Sequence, residues 1–164
     1  ASMQASQCCD AYGCMQNHII QQADATQAYT QAKLGGVPVY IRIPRDYWPK
    51  SWFSNDGQPK FRDPVCRLIK ALYGHPESGA YWEKHCEKQL TAIGFKECCE
   101  WKSCFYHKEE KVFLIVYVDD FKLSGPSENL EEGWSLIRRW IKTDAPHPVG
   151  HFLGCKQNVD SVGS

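Results

Sequence analysis

VFLIVYVDDFKLSG, residues 112–125, reads as two strands and the turn between them. Val112 to Val118 is a run of seven apolar, mostly β-branched or aromatic residues, which is strand material. Asp119-Asp120 interrupts the run. Phe121 to Ser124 resumes with alternation, and Gly125 closes it. On the near side, Cys104 to His107 is a further strand and Lys108 to Lys111 a turn, so the strands should run antiparallel.

Outward from this hairpin the pattern changes to helices. Ser78 to Ile93 carries Trp82, Cys86, Leu90 and Ile93 on one stripe, with Gly94 as its stop. Glu128 to Ile141 carries Leu130, Trp134, Ile137 and Ile141. Ser127 is its expected cap, with acids in the first turn and Arg138, Arg139 and Lys142 in the last. Ser2 to Tyr12 is a third helix, ending at Gly13. His18 to Ala25 is a strand leading into Asp24, and Thr26 to Leu34 a turn with a helical start. Val37 to Ile43 alternates as a strand. Pro44 to Pro64 is a long irregular connection of the kind that carries function. His151 to Gly154 is a final short strand. Strands and helices that do not alternate strictly predict an α+β fold, an antiparallel sheet with helices packed on one face.

The chain has 164 residues, 43% hydrophobic and 13% aromatic. That is enough for one domain with a real core and excludes disorder. No apolar run approaches the roughly 18–20 residues of a spanning helix. The start, ASMQ, has no signal-peptide features, so the expected setting is intracellular, cytoplasmic or nuclear, and the chain reads as a piece of a longer one. Net charge is zero but unevenly spread. Residues 33–70 hold 8 basic and 3 acidic side chains, a net of +5, while residues 71–132 carry a net of −5. The basic block is the one nucleic-acid footprint on offer; the bland reading is a solvated surface. The nine Cys form no C-x-x-C pair. Cys99, Cys104, His147 and His151 lack the regular spacing of a zinc site, and buried hydrophobes are the better reading of the Cys residues.

Asp119 and Asp120 carry the chemistry. Two carboxylates packed at a strand end repel unless a cation lies between them, and Mg²⁺ is the hard ion such oxygens suit. Asp24 also ends a strand. Beside the hairpin it would complete the three-carboxylate set that two-metal phosphoryl transfer uses. An Asp-Asp turn that only reverses the chain explains the spacing equally well.

The sequence resembles the reverse transcriptases of Ty1/copia-type retrotransposons. Tyr117-Val118-Asp119-Asp120 is similar to their Y-x-D-D motif, and Asp24 with Tyr29 five positions later to the motif of their first catalytic aspartate. Six pieces stand in family order: QQADATQAYTQAKL (21–34), VYIRIP (39–44), CRLIKALYGHPESGAYWEKH (66–85), LTAIGF (90–95), VFLIVYVDDFKLSG (112–125) and FLG (152–154). The resemblance implies a polymerase palm-like sheet over residues 18–155, with residues 1–17 a helix and connection of the same domain and 156–164 a tail. Fingers and thumb are expected to be largely missing.

Carried over by position, the resemblance implies that Asp24 and Asp119 hold two Mg²⁺ ions (Mn²⁺ being an alternative) and that Asp120 completes the cluster. Tyr29 would stack under the incoming sugar and exclude a 2′-hydroxyl; Tyr73 and Gly74 would contact the nucleotide. Tyr117 and the Phe152-Leu153-Gly154 element would lie near the primer end. Arg67 and Lys70 are candidates for backbone phosphate. Each has a bland counterpart: a half-buried aromatic, a loop glycine, a buried edge strand, solvated cations. His75-Pro76-Glu77-Ser78 departs from the basic or amide-bearing stretch and Pro-Arg pair usual there, so a phosphate contact is absent or comes from elsewhere. The implied activity is RNA-directed DNA synthesis from dNTPs on a primer 3′-hydroxyl, with an RNA template and DNA primer as partners. The rest of a polyprotein, including integrase and RNase H, would surround it, and no membrane is involved. As an isolated piece the chain is expected to be weak or inactive. The competing reading is an inactive remnant that binds nucleic acid or protein.

Overall fold

The computed structural model describes residues 2–98 and 101–157. Cys99, weighed above as a zinc ligand, and residues 158–164 of the expected tail lie outside the described residues. The elements in chain order are α1 (Met3–Gly13), β1 (His18–Asp24), α2 (Ala28–Gln31), β2 (Tyr40–Arg42), β3 (Val65–Arg67), α3 (Ser78–Ala92) and β4 (Phe95–Glu97). There follow β5 (Cys104–His107), β6 (Val112–Tyr117), β7 (Asp120–Pro126), α4 (Leu130–Arg138), β8 (His147–Pro148), β9 (His151–Phe152) and β10 (Cys155–Lys156).

The 112–125 segment forms the expected hairpin, with Tyr117 opposite Asp120 and Val118-Asp119 as the turn. It lies inside a six-stranded antiparallel sheet ordered β4-β5-β6-β7-β1-β8. β1 pairs with β7 along its whole length, from His18 opposite Pro126 to Asp24 opposite Asp120.

Helices lie on both faces of this sheet, not on one. Val112, Leu114 and Val116 of β6, Phe121 and Leu123 of β7 and Ala23 of β1 meet the stripes of α3 and α4. Phe113 and Ile115 point the other way, and there Ala5 and Cys9 of α1 join them with Cys104 and Phe152. The reason is in β6, which is apolar at both parities and leaves no face to water. Fully burying one such Ile or Phe stabilises by about 1.5–3 kcal/mol relative to exposure. α1 is capped by Ser2, whose Oγ accepts from the Ala5 N–H at 3.2 Å. Its end needs Gly13, since a Cβ there would fall 2.0 Å from Ile20 Cγ1.

Other boundaries move for local reasons. α4 begins at Leu130, and Ser127 does not cap it. Asn129 holds the cap position, and its amide donates to the Glu110 carbonyl at 2.8 Å. The final short strand is a hairpin, β9–β10, turning at Leu153-Gly154. β4 and β8 are additional strands. Among the described residues no helix is long and apolar enough to cross a membrane.

The expected strand 37–43 shortens to β2, paired with β3. Residues 33–70 leave the body as an arm. Its stem is closed by Ala71 N–H to the Ala32 carbonyl (3.0 Å), Leu34 N–H to Ile69 (3.1 Å) and Leu68 N–H to Val39 (2.8 Å). Its tip holds two single turns of 3₁₀ helix, Arg45–Tyr47 and Lys50–Trp52. No residue between Ala32 and Ala71 is buried.

Candidate active site

Directly opposed residues of an antiparallel pair point to the same face. Tyr117, Asp120 and Asp24 therefore stand in one row across β6, β7 and β1. The next row on that face is Ile115, Lys122 and Gln22, about 7 Å along the strands. The third is Phe113, Ser124 and Ile20.

The second and third rows are covered. α1 lies on the third, with Cys9 Sγ 3.1 Å from Ser124 Oγ. The β9–β10 hairpin reaches the second, where the Phe152 ring centroid is 4.6 Å from Lys122 Nζ. Lys122 is fully buried there. Its ammonium donates to Asp10 Oδ1 and Ser6 Oγ, both at 2.6 Å, so the buried charge is paired. The carboxylate row is the one left open. Asp24 and Asp119 are exposed, Asp120 is half-buried and Tyr117 is 42% exposed.

The turn that presents Asp119 is strained. Val118 has φ 54°, a left-handed conformation that a β-branched residue adopts only under constraint. It is held from both sides. Trp82 Nε1–H of α3 donates to the Val118 carbonyl at 2.5 Å. Ala25 N–H donates to the Asp119 carbonyl at 2.6 Å.

Asp120 feels its neighbours. Its carboxyl is pushed up to about 6, first by burial, then by a hydrogen bond shared with the Asp24 carboxyl and by the charges of Asp24 and Asp119. The structure thus sets Asp24 opposite Asp120 in the ladder, with Asp119 in the turn that precedes Asp120. Among the described residues, no three His, Cys, Asp or Glu side chains converge into a metal-ligating group. The expected close triad is therefore a close pair, with Asp119 standing out in the turn. Carboxylate oxygens gathered at one open strand end are the hard donor set a divalent cation suits, so these residues fit Mg²⁺ in chemistry.

Two residues not singled out in the sequence brace the end of β1, Asp144 at Asp24 itself and Gln31 at the turn beyond it. Asp144 Oδ1 accepts from the Asp24 N–H at 2.7 Å, and the Asp144 N–H donates to the Asp24 carbonyl at 2.9 Å. The Gln31 amide bridges the carbonyls of Thr26 (2.8 Å) and Lys142 (2.9 Å) and accepts from the Lys142 N–H at 2.8 Å. Apart from Gln31 to Thr26, these bonds join groups more than 100 residues apart, mostly side chain to backbone, and have no local signature. Gln and Asp next to turns are common, so the sequence carried no signal for them.

Tyr29 and Tyr73 come together, with ring centroids 4.5 Å apart and planes tilted by 40°. The Tyr73 loop is held by Ser78, whose Oγ accepts from the Leu72 N–H at 3.0 Å and donates to the Leu72 carbonyl at 2.7 Å. Gly74 makes the turn at φ 89° and is exposed. Phe152 is only 2% exposed, so its side chain belongs to the core of the α1 face. The turn residues Leu153 and Gly154, both at positive φ, are what the hairpin presents. Arg67 and Lys70 lie exposed on the returning strand of the arm, Arg67 opposite Tyr40 and Lys70 opposite Lys33. His147 and His151 are exposed on separate strands and Cys104 is buried.

Comparison with known proteins follows the same lines. The family model described as "Reverse transcriptase (RNA-dependent DNA polymerase)" matches residues 3–161. The chain is 31% identical, over 82% of its length, to the retrovirus-related Pol polyprotein from transposon RE1 of Arabidopsis thaliana, and covers 9% of that protein. It is 31% identical, over 75% of its length, to the Gag-Pol polyprotein of transposon Ty1-DR4 of Saccharomyces cerevisiae, and covers 7% of it. The chain therefore spans less than a tenth of the length of these relatives. Telomerase from Candida albicans, solved with a fragment of telomeric RNA, aligns with 98% of this chain and 31% of its own, at 13% identity and a TM-score of 0.37, too distant to weigh further.

Proposed function

The chain belongs to the reverse transcriptase (RNA-dependent DNA polymerase) family, in the branch of Ty1/copia retrotransposon polyproteins, and on that premise we propose that it carries the nucleotidyl-transfer centre of an RNA-directed DNA polymerase. The observation that carries this reading is the register of β1 against β7, which sets Asp24 opposite Asp120 at the open end of the sheet.

In this reading Asp24 and Asp119 would hold two divalent cations, Mg²⁺ or Mn²⁺, with Asp120 completing the cluster. Bound there, the cations supply positive charge at the attacking 3′-hydroxyl and the leaving pyrophosphate. The chain's own groups do the positioning, and no covalent intermediate on the protein is needed. Tyr117, in the same row, faces the primer end. The Tyr29–Tyr73 pair lies under the sugar of the incoming dNTP, where the Tyr29 ring excludes a 2′-hydroxyl. Leu153 and Gly154 steady the primer from the adjacent row. Template RNA, DNA primer and dNTPs are the partners, inside a polyprotein of the kind the relatives represent.

The competing reading, a chain that binds nucleic acid without catalysis, draws on the absence of a converged triad among the described residues. Primer extension on an RNA template, with the chain expressed within its polyprotein, separates the two. Asp24→Asn and Asp119→Asn should each abolish product, and Tyr29→Ala should admit ribonucleotides. Undiminished synthesis by Asp24→Asn rules the proposal out.

A further inference from the structure

We propose that Trp82 of α3 is a positioning residue for nucleotidyl transfer: its indole N–H holds the Val118 carbonyl and so fixes the left-handed turn that carries Asp119. The inference rests on the reading of the carboxylate row as a polymerase centre, and adds to it a group from outside the row.

Val118 and Asp119 are the two central residues of the turn between the paired Tyr117 and Asp120. Val118 has φ 54°, and Asp119 does not share that sign. A two-residue hairpin turn with positive φ at its first central position alone favours glycine there. A β-branched side chain resists it. The local preference of the chain therefore works against the conformation that presents Asp119, and bonds from outside the hairpin have to hold it.

Among the described residues, two hydrogen bonds reach the turn from outside the hairpin. The Ala25 N–H, just past β1, donates to the Asp119 carbonyl at 2.6 Å. The Trp82 Nε1–H donates to the Val118 carbonyl at 2.5 Å. Packing gives the turn little support. A cleft of about 410 Å³, lined in part by Trp82, Phe105, Val116, Tyr117 and Val118, opens beside it. Val118 is 40% exposed. A buried indole N–H takes an acceptor wherever one is in reach, and that alone would account for a bond. Here the acceptor is the carbonyl of the strained residue itself, and the open cleft leaves that bond without a substitute.

The donor is well fixed. Trp82 is 1% exposed, and its ring stacks on His85 at 5.7 Å between centroids with the planes 21° apart. A ring locked by packing keeps its N–H in one place. Ser78 lies one turn before Trp82 on the same buried stripe of α3, and its Oγ holds both the N–H and the carbonyl of Leu72. One helix face thus supports the loop of Tyr73 and the turn of Asp119 together.

Two variants remove the donor. Trp82→Phe keeps a ring; a benzothienyl analogue of Trp82, with sulfur in place of N–H, keeps the shape as well and serves where Trp82→Phe does not fold. Amide hydrogen exchange on the full chain, followed by NMR at Ala25, reads the position of Asp119 without any activity. Either variant should speed exchange at Ala25 by about 10-fold or more relative to Leu123 in β7. In primer extension by the chain within its polyprotein, either should lower kcat about 10-fold or more with KM for dTTP within about 2-fold. Val118→Gly removes the left-handed cost, so in that background Trp82→Phe should lower kcat by about 3-fold or less. Wild-type exchange at Ala25 in both variants overturns the proposal, whether or not the chain makes DNA. So does an unchanged kcat beside an active wild type, a defect in Trp82→Phe that the analogue lacks, or the same loss with and without Val118→Gly. No product from wild type overturns the polymerase reading instead, and exchange at Ala25 then decides whether Trp82 holds the turn.

Discussion

Asp120 is under electrostatic load. Its carboxyl titrates near 6 in the folded chain, above its ordinary 3.8. A carboxylate whose folded pKa is raised favours the folded state only while protonated. Its contribution is full below about 4 and is lost as pH rises through about 6. Discounted for solvent screening at this half-buried group, the shift leaves about 1 kcal/mol, so Asp120→Asn should melt higher than wild type at pH 7.5, by about 2–4 °C in a chain of this size. The advantage should vanish below pH 4. Thermal melts across that range check it, and a lower melting temperature for Asp120→Asn at pH 7.5 contradicts it. Val118 is the second strained residue. Replacing it by Gly removes a left-handed penalty of roughly 1–2 kcal/mol but adds chain entropy in the unfolded state. Denaturant unfolding of Val118→Gly should show a change between zero and about 1 kcal/mol of added stability. The adjacent acids were legible in the sequence as a turn with unusual chemistry. The raised proton affinity of Asp120 was not, because it comes first from burial at the sheet end and then from Asp24 across the sheet.

At the scale of elements, α1 is the least expected partner. Its apolar stripe is Ala5, Cys8, Cys9 and Tyr12, of which Ala5 and Cys9 are buried, but β6 is apolar on both faces, so nothing in the sequence told which face of the sheet α1 would take. Lys122 is one of the polar positions in the alternating 121–124 run. Its pairing with Asp10 is a contact across the whole chain that no local pattern shows. Asp10→Ala strips the partner from a fully buried ammonium, and such losses cost about 3–5 kcal/mol. Asp10 is itself 30% exposed, so the lower end is expected. Gly13→Ala forces a methyl against Ile20 and should cost about 1–3 kcal/mol. Urea unfolding of both variants measures this. Wild-type stability in Asp10→Ala would mean that α1 does not hold the sheet. The arm is the opposite case. Its irregular 44–64 span was visible from five prolines and glycines, but its stem, which folds the excursion back from Ala71 to Ala32, was not. With no buried residue, its amides should exchange first in hydrogen exchange, ahead of every strand of the main sheet.

For the whole molecule, the run β5–β6–β7 and the helices α1, α3 and α4 followed from periodicity, while the β2–β3 pair and the β9–β10 hairpin did not. The order of the sheet did not. β1 reaches β7 across most of the chain, and only the resemblance to a family placed Asp24 beside Asp119-Asp120. That long-range pairing sets Asp24 opposite Asp120 at the end of one sheet face, which α1 and the β9–β10 hairpin leave open. Mn²⁺ binding to the full chain, followed by electron paramagnetic resonance at pH 7.5, tests this most directly. Saturable binding that weakens at least 10-fold in Asp24→Asn and in Asp120→Asn, and fades as pH falls toward 5, is the predicted result. Binding unaffected by either substitution would contradict it.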